Sequence, residues 1–140
     1  MSAPAHPSVD LLRVARDIEL EVARVLEPRG LTLRKYGILS ALGDTPGLSV
    51  GDLARRQRTT PDDLRMLLRA LTDAGVVRQA ASGSGHEPLI ALTSAGSGAL
   101  TAVDAALAEL DARLFAGGEG AELAAAVRAI VAEPVREPQD

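Results

Sequence analysis

A chain of 140 residues, 46% of them apolar, is long enough to bury the core of one domain and too apolar for disorder. With one Phe, one Tyr and no Trp, that core must be built from Leu, Val and Ala; the absence of Cys excludes disulfides, thiolate metal ligands and cysteine redox chemistry. A net charge of −4 is a poor overall signature for nucleic acid. No apolar run approaches the ~18 residues of a membrane span, and the N-terminus lacks a basic region followed by an apolar stretch, so a soluble, cytoplasmic protein is expected.

In chain order, residues 1–7 carry two prolines and read as a frayed arm. A first helix is expected from Ser8, as its cap, to about Leu26, with a stripe of Leu11, Leu12, Ala15, Ile18, Val22, Ala23 and Leu26. Pro28-Arg29-Gly30 stops it. Thr32 caps a second helix whose apolar Tyr36, Leu39 and Leu42 sit at i, i+3 and i+6, and residues 43–47 make a turn. Leu48, Val50 and Leu53 then give the apolar side of the entry to a short third helix and of the helix itself, which the polar stretch Arg56–Thr60 breaks. Thr60 suits an N-cap, Pro61 the first helical position, and Asp62 and Asp63 the first turn, where the helix dipole favours acids. Leu64, Leu67, Leu68 and Leu71 recur at i, i+3, i+4 and i+7, one buried face of a fourth helix, which Gly75 closes as a left-handed cap.

The period then changes. Residues 76–80 and 88–92 are short strand candidates flanking the glycine-rich loop Ser82-Gly83-Ser84-Gly85-His86, a hairpin or wing. Thr93 caps a long Ala- and Leu-rich helix over about 94–115. Gly117-Gly118 interrupts, a last helix runs from Glu119 to Val131 with Leu123, Ala126, Val127 and Ile130 apolar, and a loose tail starts at Glu133.

Positive charge is concentrated on the central unit. Residues 49–78 hold six arginines (55, 56, 58, 65, 69 and 78) against four aspartates, whereas residues 97–140 hold eight acids against three arginines. Arg65 and Arg69, at i and i+4 on the polar side of the fourth helix, face DNA in the functional reading; in the alternative they belong to a solvated face with an Asp62–Arg65 ion pair. Arg55, Arg56 and Arg58 surround the turn, where bidentate guanidinium groups suit phosphates, unless Asp52 holds one of them as a structural partner. The apolar stripes of the first and fifth helices, at opposite ends of the chain, exceed what the small central unit can cover. A two-fold homodimer would bury both; a monomeric bundle is the alternative.

The order helix–helix–helix–recognition helix–wing–long helix–helix resembles the MarR family of winged helix-turn-helix regulators. The resemblance rests on Leu31-Thr32 and Tyr36-x-x-Leu39, Leu48-Ser49-Val50-Gly51-Asp52-Leu53-Ala54, and the stripe Leu64, Leu67, Leu68 and Leu71. It continues through Gly75-Val76-Val77-Arg78 and Leu92-Thr93-Ser94-Ala95-Gly96, and spans about residues 8–132. It implies a mainly α subunit with a two-stranded hairpin wing: a winged helix-turn-helix DNA-binding lobe over 31–96, and dimerisation helices over 8–27 and 97–131. It further implies a transcriptional repressor that binds double-stranded DNA as a homodimer on a pseudo-palindromic operator. The fourth helix enters the major groove and the wing the minor groove. Arg55, Arg56, Arg58, Thr60, Arg65, Arg69 and Ser84 become the DNA candidates. A small aromatic or phenolic ligand is implied in a cleft near Tyr36, with Arg13, Arg16 or Arg34 available for an anionic group; for Tyr36 itself core packing is favoured over a direct ligand contact.

The wing departs from the family pattern. Its usual Asp-x-Arg element is missing, and residues 79–91 contain no Arg or Lys, so its serines and glycines can touch phosphate without releasing counterions. The fourth helix carries Asp62 and Asp63, which can accept from cytosine but repel phosphates. These features support a second reading, a dimeric interaction protein with weak or lost DNA binding. Two separated histidines, His6 and His86, make no metal site, Ser82–Gly85 has no GxxxxGK pattern for nucleotide, and no nucleophile has a base in range. Neither cofactor nor enzymatic activity is expected.

Overall fold

A computed structural model describes residues 4–80 and 87–132. Among the described residues six helices and three short strands follow in the order α1 (Pro7–Leu26), a single 3-10 turn (Glu27–Arg29), α2 (Leu33–Asp44), β1 (Leu48–Ser49), α3 (Val50–Arg56), α4 (Pro61–Asp73), β2 (Val77–Ala80), β3 (Leu89–Leu92), α5 (Ser94–Leu114) and α6 (Gly117–Ala132), with α2 to α5 packed on the strands. The mainly α winged helix-turn-helix architecture expected from the sequence is present, with one addition. The sheet has three antiparallel strands in the order β1-β3-β2, because Leu48 and Ser49 pair with Ile90 and Leu89.

Three threonines start helices as their positions suggest. Thr32, Thr60 and Thr93 accept from the backbone N–H of Lys35, Asp63 and Gly96, respectively, each satisfying a donor that the first helical turn leaves free. Ser8 is not a cap. α1 begins one residue earlier, with Pro7 at its first position and no side-chain cap on His6, since proline loses nothing where the N–H has no helical partner. Gly117-Gly118 does not stay outside the last helix either. Gly117 takes φ +82 to end the preceding segment and α6 starts on it.

The core joins Leu26, Ile38, Leu39, Leu42, Leu53, Leu64, Leu68, Leu71, Val77, Ile90 and Val103 from five helices and two strands. Its tightest joint lies where α5 leaves the sheet. Thr93 Oγ1 donates to the Gly75 carbonyl at 2.6 Å, and the Thr93 N–H donates to that of Val76 at 3.1 Å. Gly96 is pressed against the same strand entry: a Cβ there would lie 1.9 Å from the Val76 oxygen. This explains a glycine three residues after Thr93.

Leu110 is buried within the subunit and is not part of the open surface. The open apolar surface lies elsewhere: Val9, Leu11, Leu12, Val14 and Leu20 on α1, Leu114 at the end of α5, and Leu123, Val127, Ile130 and Val131 on α6, which buries no residue of its own, with Leu33 on α2 and Met66 on α4 open as single residues. Among the described residues no helix is long and apolar enough to cross a membrane.

Candidate nucleic-acid interface

α3 starts at Ser49, whose Oγ accepts from the Asp52 N–H at 3.1 Å and donates to the Asp52 carboxylate at 3.0 Å. That carboxylate also ion-pairs with Arg55 one turn on, so Asp52 is the structural partner foreseen as an alternative. The chain then turns sharply. The Gln57, Arg58 and Thr59 N–H groups donate to Leu53, Arg55 and Ala54, and Arg58 takes the left-handed conformation at φ +50, unusual for a residue with a Cβ. Thr60 then launches α4. Its Oγ1 serves as the cap, while the residue stays exposed.

α4 is held by one face only. Leu64, Leu68 and Leu71 are buried, whereas Asp62, Asp63, Arg65, Met66 and Arg69 are exposed. Arg65 donates to Asp62 Oδ1 at 2.9 Å, the ion pair of the solvated-face alternative, although both side chains remain largely open to solvent. The side chains of Arg58 and Arg69 make no hydrogen bond or ion pair among the described residues. A hollow of about 260 Å³ separates α4 from β2, lined by Arg65, Leu68, Arg69, Thr72, Asp73 and Gln79. Ser84 and His86, with the rest of 81–86, lie outside the described residues.

Arg56 departs from the simple phosphate picture. Its guanidinium donates to Thr45 Oγ1 at 2.9 Å, which draws it toward the end of α2. There it lines an open depression of about 460 Å³ with Leu33, Tyr36, Gly37, Ser40, Ala41, Asp44 and Gln57. Tyr36 is half-buried between helices, and its hydroxyl donates to Asp104 Oδ1 at 2.7 Å, tying α2 to α5. Burial, then the hydrogen bond and negative charge of Asp104, hold its phenol above the ordinary value of 10.0.

Within one subunit Arg13 and Arg16 do not reach this depression. Both are exposed on α1, and Arg13 lies 3.5 Å from Asp10. Arg34 lines a separate crevice of about 30 Å³ with Ile38, Gln57, Thr59, Leu64 and Leu67. Asp104 and Thr45 were missed as partners because nothing in the local sequence points across 68 or 11 residues to them. Among the described residues no three His, Cys, Asp or Glu side chains gather in a way that could hold a metal ion.

The comparisons with known proteins agree with this geometry. The sequence model of the MarR family matches residues 29–86. The HTH-type transcriptional repressor Mb2911 of Mycobacterium bovis is 39% identical over 107 residues, 76% of this chain and 77% of that protein. The fold superposes on the Mycobacterium tuberculosis MarR family protein Rv2887 in complex with DNA with a TM-score of 0.77 and 31% identity, over 91% of this chain and 98% of that one. The same protein in complex with salicylic acid gives a TM-score of 0.68 and 34% identity, over 93% and 99%. MepR of Staphylococcus aureus, at 18% identity and a TM-score of 0.77 over 91% and 98%, shares the fold. With its winged helix-turn-helix, its exposed fourth helix and relatives of this identity and coverage, the chain belongs to the MarR family, a family of transcriptional regulators and not an enzyme class.

Proposed function

We propose that this chain is a DNA-binding transcriptional repressor that acts in the cytoplasm as a homodimer on a pseudo-palindromic operator and responds to a small aromatic ligand. The observation that carries it is α4: a helix fixed by a buried leucine stripe, with its opposite face, including Arg65 and Arg69, uncovered. In this reading residues 31–96 form the DNA-binding lobe. Arg65 and Arg69 meet base edges; Arg55, Arg58 and Thr60 meet phosphates, as does Arg56 once its guanidinium leaves Thr45, and Ser84 does so from the wing loop. Segments 8–27 and 97–131 pair two subunits, which accounts for the exposed apolar rows of α1 and α6. An obligate interface of this kind buries more than about 2,000 Å².

The depression beside Tyr36 suits an aromatic ligand, and the salicylic acid complex of Rv2887 supports that chemistry. Its own cation is Arg56; Arg13 and Arg16 would serve only from the second subunit. A ligand there acts on DNA affinity only by binding one lobe arrangement better than another.

The second reading, a family member that dimerises without reading DNA, draws on Arg55 and Arg65, both already paired with aspartates of their own helices. A fluorescence-anisotropy titration against DNA fragments enriched from the genome by the protein itself, at low and high salt, separates the two. A repressor retains a preference for the enriched fragment over random duplex as salt rises; a protein that does not read DNA shows none.

A further inference from the structure

The outward face of α4 carries a chemical order that folding does not require. Leu64, Leu68 and Leu71, at i, i+4 and i+7, are buried. Two residues earlier, Asp62, Met66 and Arg69 repeat the spacing, and on a helix an offset of two residues turns a stripe through roughly 200°, to the opposite side. Asp62 and Arg69 suit a solvated face. Met66 does not, yet it is 73% exposed. Comparably exposed large apolar residues, Leu12 at 71% and Val131 at 76%, lie on α1 and α6, on the rows assigned above to subunit pairing. Met66 stands apart from them, on the helix assigned to DNA.

We propose that Met66 is a specificity-determining residue that reads the C5-methyl group of a thymine in the major groove. The inference rests on α4 being the recognition helix. Base edges in that groove offer donors, acceptors and one apolar feature, the thymine methyl. The stripe answers all three, with the carboxylate of Asp62, the thioether chain of Met66 and the guanidinium of Arg69. Asp62 is engaged by Arg65, whereas Arg69 makes no ion pair among the described residues, so Met66 and Arg69 form the uncommitted part of the stripe. At about 1.5 Å of rise per residue they stand ~4.5 Å apart along the axis, on the scale of one base-pair step. Arginine most often reads guanine, through its O6 and N7, so a thymine neighbouring a guanine taken by Arg69 is the partner. An unbranched, polarisable side chain can adjust to the methyl without a fixed geometry.

The test uses the full-length protein and a synthetic duplex of a genome-enriched site, in which each thymine is replaced in turn by deoxyuridine, removing the methyl alone. One thymine in each half-site is expected at which the wild-type protein loses about fourfold in affinity, the effect of one buried carbon. At that position Met66→Ala should bind the two duplexes equally, while Arg69→Ala, weaker overall, should still discriminate. Met66 is exposed, so its variant should melt as the wild type does, and the deoxyuridine series needs no variant at all. If Arg69→Ala loses specificity but no deoxyuridine lowers wild-type affinity, or if discrimination survives Met66→Ala, the Met66 inference is overturned and the recognition-helix reading stands. If no fragment is enriched, or neither variant alters binding, both fall together.

Discussion

Arg58 has a backbone that a glycine would adopt more readily, since its Cβ is held at φ +50. Residues held in such a conformation cost on the order of 1 kcal/mol. Arg58→Gly should therefore keep or slightly raise thermal stability while weakening DNA binding, because the guanidinium is lost from the turn before α4. A variant that loses neither stability nor affinity would remove Arg58 from the interface. At Tyr36 the expectation is opposite in kind. Tyr36→Phe deletes the bond to Asp104 and should cost about 1 kcal/mol by chemical denaturation, the usual worth of one hydrogen bond. Its phenol is raised above 10.0 in the folded state, so the native state holds the proton more tightly than the unfolded chain. The stabilisation is full below pH 10 and is lost as pH rises through the higher folded-state value. The gap between wild type and Tyr36→Phe should accordingly be constant across neutral pH and close only in alkali.

Among the elements, the junction of β2 and α5 is the least tolerant of change. Gly96→Ala would drive a methyl group against the Val76 backbone oxygen, which cannot swing away as a side chain can. A loss of about 1–3 kcal/mol is expected in equilibrium unfolding, in line with overpacking elsewhere. The helices around this junction were legible in the sequence because leucine periodicity and threonine caps are local signals: α2, α4 and α5 start where Thr32, Thr60 and Thr93 place them. β1 was not legible. Two residues are too few for an alternating pattern, and Leu48 and Ser49 are strands only because Ile90 and Leu89 lie beside them. The helix-terminal assignments at Ser8 and at Gly117-Gly118 differ because Pro7 fits a helix's first position and because Gly117, at φ +82, turns the chain directly into α6. The candidate site divides the same way. Exposure of Arg65 and Arg69 follows from the stripe opposite them, whereas the capture of Arg56 by Thr45 and of Tyr36 by Asp104 depends on tertiary packing.

On the scale of the whole molecule, the apolar residues left on α1 and α6 give the dimer its clearest probes. Leu110 is a poor one. It is 2% exposed within the subunit, so Leu110→Asp should unfold the chain whatever its partner does. Leu12 and Ile130 are open, and Leu12→Glu with Ile130→Glu should leave helix content unchanged while sedimentation shifts from dimer to monomer at tens of micromolar. A wild-type monomer under those conditions would contradict the pairing of 8–27 with 97–131. Loss of the dimer should also weaken operator binding far more than binding to a single half-site, because two linked half-sites act through their effective concentration.

The most direct measurement of whether α4 reads DNA is a salt-dependent anisotropy titration of wild type and the Arg65→Ala/Arg69→Ala double variant on an enriched duplex and on random duplex. Wild type should prefer the enriched duplex. The double variant should lose at least the 1–3 kcal/mol of one base contact on it and less on random DNA, with a shallower dependence on salt. Equal affinity of the two proteins for the enriched duplex, with the same salt slope, would contradict it.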